Sequence, residues 1–481
     1  MGSQSLHGTD GRGQLRLESV ESKPTLRDGR QEGRCVKQAQ MQARGPQVLE
    51  TAKQGSDATP QKWGWVEASV WTERMLAALG NGVQGGKWFS LIDKVSREAT
   101  LVAAWKKVQA NKGAAGVDGQ SVQAFGHQAQ VYLQELEQAL KTGSYRPQPV
   151  RRVEIPKGPK QTRPLGIPVV KDRIVQTAVK LVIEPIFEAM FVDSSYGFRP
   201  QRSAKAALRE VDRLLKQGYT HVVDADLERY FDTIPHDRLR ERVAERISDG
   251  RVLQLVDSWL GQDIMSGLER WTPTSGTPQG AVLSPLLANC YLHPLDVHMA
   301  ACGWQMVRYA DDFVVLCESE QQAQAALQEV QAWVQANGLK LHADKTRIGD
   351  CRQAGQGFDF LGYRFECGRR WVRKKSMEKL RDRIRGLTPR SGGVSLRAVI
   401  ERLNPVLRGW WGYFKHAYAT TFRAVDGFVR RRLRSILRKH KRLRPRSSRA
   451  ITDHRRWPNV FFAEQGLFTL TAAHAAASQS R

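Results

Sequence analysis

The spacing of apolar and polar residues changes several times along the chain, and each change marks an element. After Trp88, the residues Leu101, Ala104, Trp105 and Val108 recur at helical spacing. This predicts a helix that ends in the glycine-punctuated loop Asn111–Gly119. The runs Val153–Lys157 and Arg163–Pro168 predict two short, prolyl-bounded strands joined by a basic loop. A helix follows from about Asp172 to Met190, burying Ile174, Ala178, Leu181 and Val182, and Tyr219–Ala225 reads as a buried strand. Trp304–Cys317 is two apolar runs around Ala310, Asp311 and Asp312, the pattern of a β-hairpin with those residues at its turn. Ala323, Ala326, Leu327, Val330 and Val334 predict a helix closed by Asn337-Gly338, with another strand starting at Leu339–Leu341. Beyond about residue 366 the period is helical, and Val425, Phe428, Val429, Leu433, Ile436 and Leu437 form one stripe. Residues 1–58 show no sustained period and are rich in Gly, Ser, Gln and charge, the pattern of a disordered tail.

Composition sharpens this picture in one direction. With 75 Lys and Arg against 48 Asp and Glu, the 481-residue chain carries a formal charge of +27. That balance favours a polyanionic partner, nucleic acid rather than a membrane. No apolar run is long enough to span a bilayer, and the N-terminus has no signal-type apolar segment. Cys35, Cys290, Cys302, Cys317, Cys351 and Cys367 lack CxxC spacing. They read as reduced structural thiols in a cytosol-like compartment, with no zinc site. From Gly427 to Arg449 there are eleven Lys or Arg residues and no acid, so one face of that helix is expected to be a cationic ridge.

The chemistry centres on the carboxylates. Two charges about 4 Å apart repel by roughly 4 kcal/mol at an effective dielectric of 20, and a hard divalent cation removes that cost. An isolated Asp-Asp is most often a solvated turn. Here, however, within His221–Pro235 a hydrophobic strand leads into Asp226, and the chain then turns into a helix. A strand-end carboxylate beside an acidic hairpin can hold two metals, one activating a hydroxyl and one stabilising a leaving group. Asp224 shares a face with Asp226 and reads as structural.

Tyr309-Ala310-Asp311-Asp312 with Asp226 resembles the metal-binding motifs of the bacterial group II intron-encoded reverse transcriptase/maturases. The resemblance runs from about residue 88 to 481, with its core motifs in order. It implies that Asp226, Asp311 and Asp312 bind two Mg²⁺ ions, or Mn²⁺ in their place, Asp312 more peripherally. Phe231 matches the aromatic that blocks a 2′-hydroxyl, which implies dNTP substrates and disfavours an RNA-dependent RNA polymerase. Gly276–Leu287, with Gln279, resembles the template- and nucleotide-positioning motif, and Ser284-Pro285 reads as a helix cap and first residue. Lys157, Lys160 and Arg163 match the fingers stretch over the triphosphate, and Tyr196–Pro200 with Arg202-Ser203 also matches the fingers. Lys345 matches a position after the hairpin, where it can protonate pyrophosphate or be a plain surface lysine. Gly357–Tyr363 resembles the strand pair that grips the primer. Asn111–Gly119 resembles the N-terminal extension motif of non-retroviral reverse transcriptases, and Arg408–Phe414 the thumb/maturase signature.

The expected architecture is α+β: a right-hand polymerase, with fingers and palm built on antiparallel sheet, followed by an α-helical thumb/maturase domain. The expected boundaries are a tail at 1–58, an N-terminal extension at 59–145, fingers and palm at 146–365 and thumb at 366–440. A basic, DNA-binding-like tail follows at 441–481, and no cysteine after Cys367 supports the family's endonuclease. Arg430, Arg431, Arg434, Arg438, Lys439, Lys441 and Arg442 are the expected RNA contacts. The implied partners are the intron RNA, an RNA template with DNA primer, dNTPs and target DNA, in a cytoplasmic bacterial ribonucleoprotein. Two other readings stay open: a splicing factor with an idle polymerase site, and a domesticated reverse transcriptase. Oligomeric state is not legible.

Overall fold

The computed structural model describes residues 62–158, 161–390, 393–441 and 449–479. The expected tail at 1–58, Lys160 and Arg442 lie outside the described residues. The strands are β1 (Val150–Gly158), β2 (Gln161–Ile167), β3 (His221–Asp226), β4 (Ile264–Ser266), β5 (Glu269–Trp271) and β6 (Gln305–Tyr309). They continue with β7 (Asp312–Cys317), β8 (Arg347–Asp350), β9 (Phe358–Phe360), β10 (Tyr363–Glu366) and β11 (Arg369–Val372).

Three sheets result, ordered β2-β1-β4-β5, β6-β7-β3-β8 and β11-β10-β9. The first holds the expected prolyl hairpin, with Ile155 opposite Arg163. The second is fully antiparallel and carries the acidic residues. Val222, Val223 and Ala225 are buried on both faces of β3, which explains its unbroken apolar run. On one side pack the helices Ser284–Ala301 and Glu320–Ala336, and on the other the helix Ala204–Lys216 packs on β6. The third sheet turns at Leu361-Gly362, both with positive φ (48° and 83°), the two-residue geometry that matches strand twist.

The helix Glu98–Asn111 buries Leu101, Ala104, Trp105 and Val108 against the long helix Val170–Glu188, as expected. A buried carboxylate ties this N-terminal region to the palm. Asp249 accepts from the amides of Arg251 and Val252, capping the helix Gly250–Leu260. It also accepts from the amides of Leu91 and Ile92 at 2.6 and 2.8 Å.

The C-terminal helices Lys374–Leu387, Leu396–Phe414 and Thr420–His440 form the thumb. Tyr363 Oη donates to the Tyr413 carbonyl and Tyr413 Oη to the Leu361 carbonyl, each at 2.8 Å, so the thumb is tied reciprocally to the β9–β10 turn.

Three expectations are corrected. Leu339–Leu341 starts no strand: Leu341 makes a single bridge to Leu227, and the free edge of β3 is taken by β8. Ser284 is not a cap but the first residue of the helix Ser284–Ala301, and its hydroxyl donates to the Pro278 carbonyl at 2.9 Å. The segment after residue 449 is not an independent tail. Trp457, Phe462, Leu467 and Leu470 are buried in the thumb's own core, and Asp426 accepts from the Leu470 and Thr471 amides.

Among the described residues, no helix is long and apolar enough to cross a membrane.

Candidate active site

Strand register brings the carboxylates together. Asp226 ends β3 directly opposite Asp312, the first residue of β7, while Asp311 occupies the β6–β7 turn beside it. Ala310 in that turn has φ of +62°, a left-handed conformation that costs an alanine energy and forms where the surroundings impose it. Asp224 faces the same side as Asp226 and lies 3.5 Å from Arg347.

The electrostatics show one shared negative field. Burial and then the charges of Asp224, Asp311 and Asp226 push the Asp312 carboxyl up to about 7, against the pull of Arg373. Burial raises Asp224 to about 6 despite Arg347, with Asp359 and Asp226 adding to the rise. Carboxyls raised by burial first and by one another second are relieved by a hard dication with oxygen ligands, and the cluster's donor set fits one. A third cation faces the cluster besides Arg347 and Arg373: Lys345 Nζ sits 2.6 Å from Asp226 Oδ2.

A cleft that none of Asp226, Asp311 and Asp312 lines is walled by Phe231, Asp232, Gly276, Gln279, Pro164 and Arg152 among others. Phe231 sits on the short helix Tyr230–Thr233, with its carbonyl accepting from Thr277 N at 2.6 Å. Its ring meets Phe198 edge-on at 6.3 Å between centroids. Gly276 must be glycine: its φ is +86°, and a Cβ would lie 2.7 Å from the Phe231 carbonyl oxygen. Gln279 joins both walls, accepting from Arg163 Nε at 2.6 Å and donating to Asp232 Oδ1 at 3.2 Å. Lys157 is on β1, in the same hairpin as Arg163.

The ridge cations divide by burial. Arg431, Lys439 and Lys441 are exposed. Arg430 and Arg438 are partly covered and reach Asp426 (4.0 Å) and Asp453 (3.3 Å), acids from outside the basic run. Arg434 is corrected: it is buried, donates to the Trp457 carbonyl and Asn459 Oδ1, and lies over the Phe462 ring. Its charge serves packing and is not presented to solvent.

Sequence reading missed Arg347 and Arg373 at the site, and it named Phe198 and Asp359 only as members of the fingers and primer-grip stretches. It also missed a group elsewhere: His298, Cys302 and Glu329 offer ligand atoms within 4.8 Å of one another. The i, i+4 spacing of His298 and Cys302, the latter capping the helix Ser284–Ala301, was the available signal, while Glu329 comes from the helix Glu320–Ala336. A hydrogen bond of 3.0 Å between His298 Nε2 and Glu329 Oε2 accounts for the approach of those two without an ion.

An antiparallel sheet with an acidic hairpin beside a strand-end aspartate, preceded by a basic β-hairpin and followed by a helical thumb, defines a polymerase of the reverse transcriptase class. Residues 155–365 match the family described as reverse transcriptase (RNA-dependent DNA polymerase). Residues 377–456 match the group II intron maturase-specific domain, which therefore runs past the expected boundary at 440. Protein YkfC of Escherichia coli K12 is 35% identical over 328 residues, covering 60% of this chain and 84% of YkfC. The group II intron-encoded protein LtrA of Lactococcus lactis subsp. cremoris is 40% identical over 196 residues, 40% of this chain and 32% of LtrA, so the match spans about a third of that relative. A partial Cas6-RT-Cas1–Cas2 complex is similar at 26% identity and a TM-score of 0.34, covering 51% of this chain and 42% of that one. The chain belongs to the group II intron-encoded reverse transcriptase/maturase family. Reverse transcriptases use divalent metal ions, and the maturase-specific domain implies an RNA partner.

Proposed function

We propose that the protein copies RNA into DNA from dNTPs at the Asp226–Asp311–Asp312 cluster, and that its thumb surface binds intron RNA to assist splicing and mobility at a DNA target. The observation that carries the polymerase reading is the register of β3 on β7, which sets Asp226 opposite Asp312 and beside the Asp311 turn.

Asp226 and Asp311 are the proposed shared ligands of two Mg²⁺ ions, with Asp312 peripheral. Ions held there would supply acidification of a primer 3′-hydroxyl and charge neutralisation for a departing pyrophosphate. Phe231 walls the sugar side of the pocket and excludes a 2′-hydroxyl. Arg163 and Lys157 grip the triphosphate, Arg163 held by Gln279. Lys345, whose Nζ lies 2.6 Å from Asp226 Oδ2, is the proposed donor to pyrophosphate. In the thumb, Arg431, Lys439 and Lys441 present unburied charge to a phosphate backbone.

The test is primer extension on an RNA template, with intron splicing measured in parallel. Wild type extends and Asp311→Ala does not, while both assist splicing. Equal inactivity of the two in extension, with splicing still assisted, replaces the polymerase reading by that of an RNA-binding splicing factor.

A further inference from the structure

The residue before the acidic motif is a fully buried arginine, and its partners lie on three separate segments. Arg308 has no solvent exposure. Its Nε and Nη2 fork onto Asp296 Oδ1 and Oδ2 at 2.6 and 2.5 Å, and Asp296 is itself fully buried. Its Nη1 donates to Asn289 Oδ1 at 3.0 Å and to the Ala310 carbonyl at 2.8 Å. Asn289, also buried, donates from Nδ2 to the Gly197 carbonyl at 2.8 Å. The Arg308 backbone closes the loop, donating to the Ser194 carbonyl and accepting from Tyr196 N.

This network joins two parts of the site that sequence keeps more than a hundred residues apart. One end is the Ala310 carbonyl, in the left-handed turn that presents Asp311. The other is Gly197, whose neighbour Phe198, like Ala310, has positive φ (59°) and meets the Phe231 ring edge-on. Neither end is anchored by sheet hydrogen bonds of its own, since Ala310 lies between the strands and Gly197 outside them. An ion pair alone would need only Asp296. The two remaining donations from Nη1 do nothing for charge; they fix the geometry of the turn and of the amide that reaches Gly197. Only a guanidinium can serve the three acceptors together, because a lysine's ammonium lacks the planar fork.

We propose that Arg308 and Asn289 are positioning residues that hold the Asp311 turn and the Phe198–Phe231 wall in one register, so that metal binding and sugar discrimination depend on the same buried network. The inference rests on the polymerase reading above.

The experiment compares wild type with Asn289→Ala, which keeps the Arg308–Asp296 pair, and with Arg308→Lys, which keeps a charge opposite Asp296. Mn²⁺ affinity is measured directly by electron paramagnetic resonance, and dATP and ATP incorporation by single-nucleotide extension. Loss of groups that orient metal ligands typically weakens metal binding by about 10–100-fold, and that is the expected fall in Mn²⁺ affinity for both variants, with reduced discrimination against ATP. Asn404→Ala is the control: it removes two comparable hydrogen bonds, to the Gly466 carbonyl and from Phe468 N, within the thumb. Its Mn²⁺ affinity should match wild type even where its melting temperature falls as far as that of Asn289→Ala.

Mn²⁺ affinities within twofold of wild type in a folded Asn289→Ala overturn the inference, whatever Arg308→Lys does. If affinity falls as stated but wild type extends no primer, the network's role stands and the polymerase reading falls. If wild type extends primer while the variants bind Mn²⁺ normally, the reverse holds.

Discussion

Gly197→Ala should cripple catalysis while leaving the fold standing. Gly197 has no left-handed φ, so alanine meets no backbone penalty there. Space is the obstacle. A Cβ would lie 2.2 Å from Ala310 N, 2.8 Å from the Tyr309 carbonyl carbon and 3.0 Å from Ala310 Cα. Ordinary contact needs about 3.4 Å or more, so the two segments must part by about 1 Å. All three atoms are backbone of the catalytic turn, and no flexible side chain can give way. Retreat is resisted on the Gly197 side by the Asn289 amide and on the turn side by Arg308. Overpacking of this kind costs about 1–3 kcal/mol of stability. A displacement of about 1 Å in a reacting group costs about 100-fold in rate. Single-nucleotide extension at saturating Mg²⁺ and dNTP reads the second number, and thermal melting reads the first. Gly427→Ala is the matched control, in the helix Thr420–His440 with nothing within 4 Å of the new Cβ. It should be neutral or stabilise by up to about 1 kcal/mol. A folded Gly197→Ala that extends within about threefold of wild type refutes the claim that this contact sets the turn.

Other expectations follow from the same structure. Phe231→Val should raise ribonucleotide incorporation relative to deoxyribonucleotide by at least about tenfold, and an unchanged ratio in competition assays removes Phe231 as the discriminating wall. Alanine at Arg431, Lys439 and Lys441 together should flatten the salt dependence of RNA binding by about 2–3 in log–log slope, with melting unaffected. Arg434→Ala should do the opposite, lowering the melting temperature because it strands the Trp457 carbonyl, and a slope change without destabilisation would contradict its burial. Asp172 is buried, and desolvation raises its carboxyl to about 6 even though Tyr145 Oη, Gln148 N and Gln262 Nε2 donate to it. A raised pKa means this carboxyl favours the fold most below about pH 4 and progressively less as pH rises through about 6, by up to about 3 kcal/mol. Asp172→Asn should flatten stability between pH 4 and 7, and an unaltered slope in chemical denaturation would show that Asp172 does not titrate in that window.

What the sequence made legible was whatever depends on local period. The β6–β7 hairpin, the strand ending at Asp226 and the helix carrying Leu101 and Trp105 are all written in apolar spacing. The carboxylate cluster was legible because unlike segments each end in an acid. What escaped was decided by partners remote in the chain. Charge could be read at Arg434, but not that Trp457 and Phe462 would close over it. The basic run looked acid-free because its counter-ions, Asp426 and Asp453, stand outside it. Leu339–Leu341 has strand composition, yet a strand needs a free edge, and Arg347–Asp350 occupies the one on β3. Ser284 had the right chemistry for a cap, but its hydroxyl is engaged with Pro278.

Asp249 has a consequence for how the molecule comes apart. One carboxylate accepts from Leu91 and Ile92 and, 158 residues along the chain from Leu91, from its own helix. Unwinding the amino-terminal segment strips the buried carboxylate of two donors, and unwinding the helix withdraws the acceptor from Leu91 and Ile92. The amino-terminal helices and the sheet-bearing body should therefore melt in a single step, and hydrogen exchange should release the amides at 91 and 252 together.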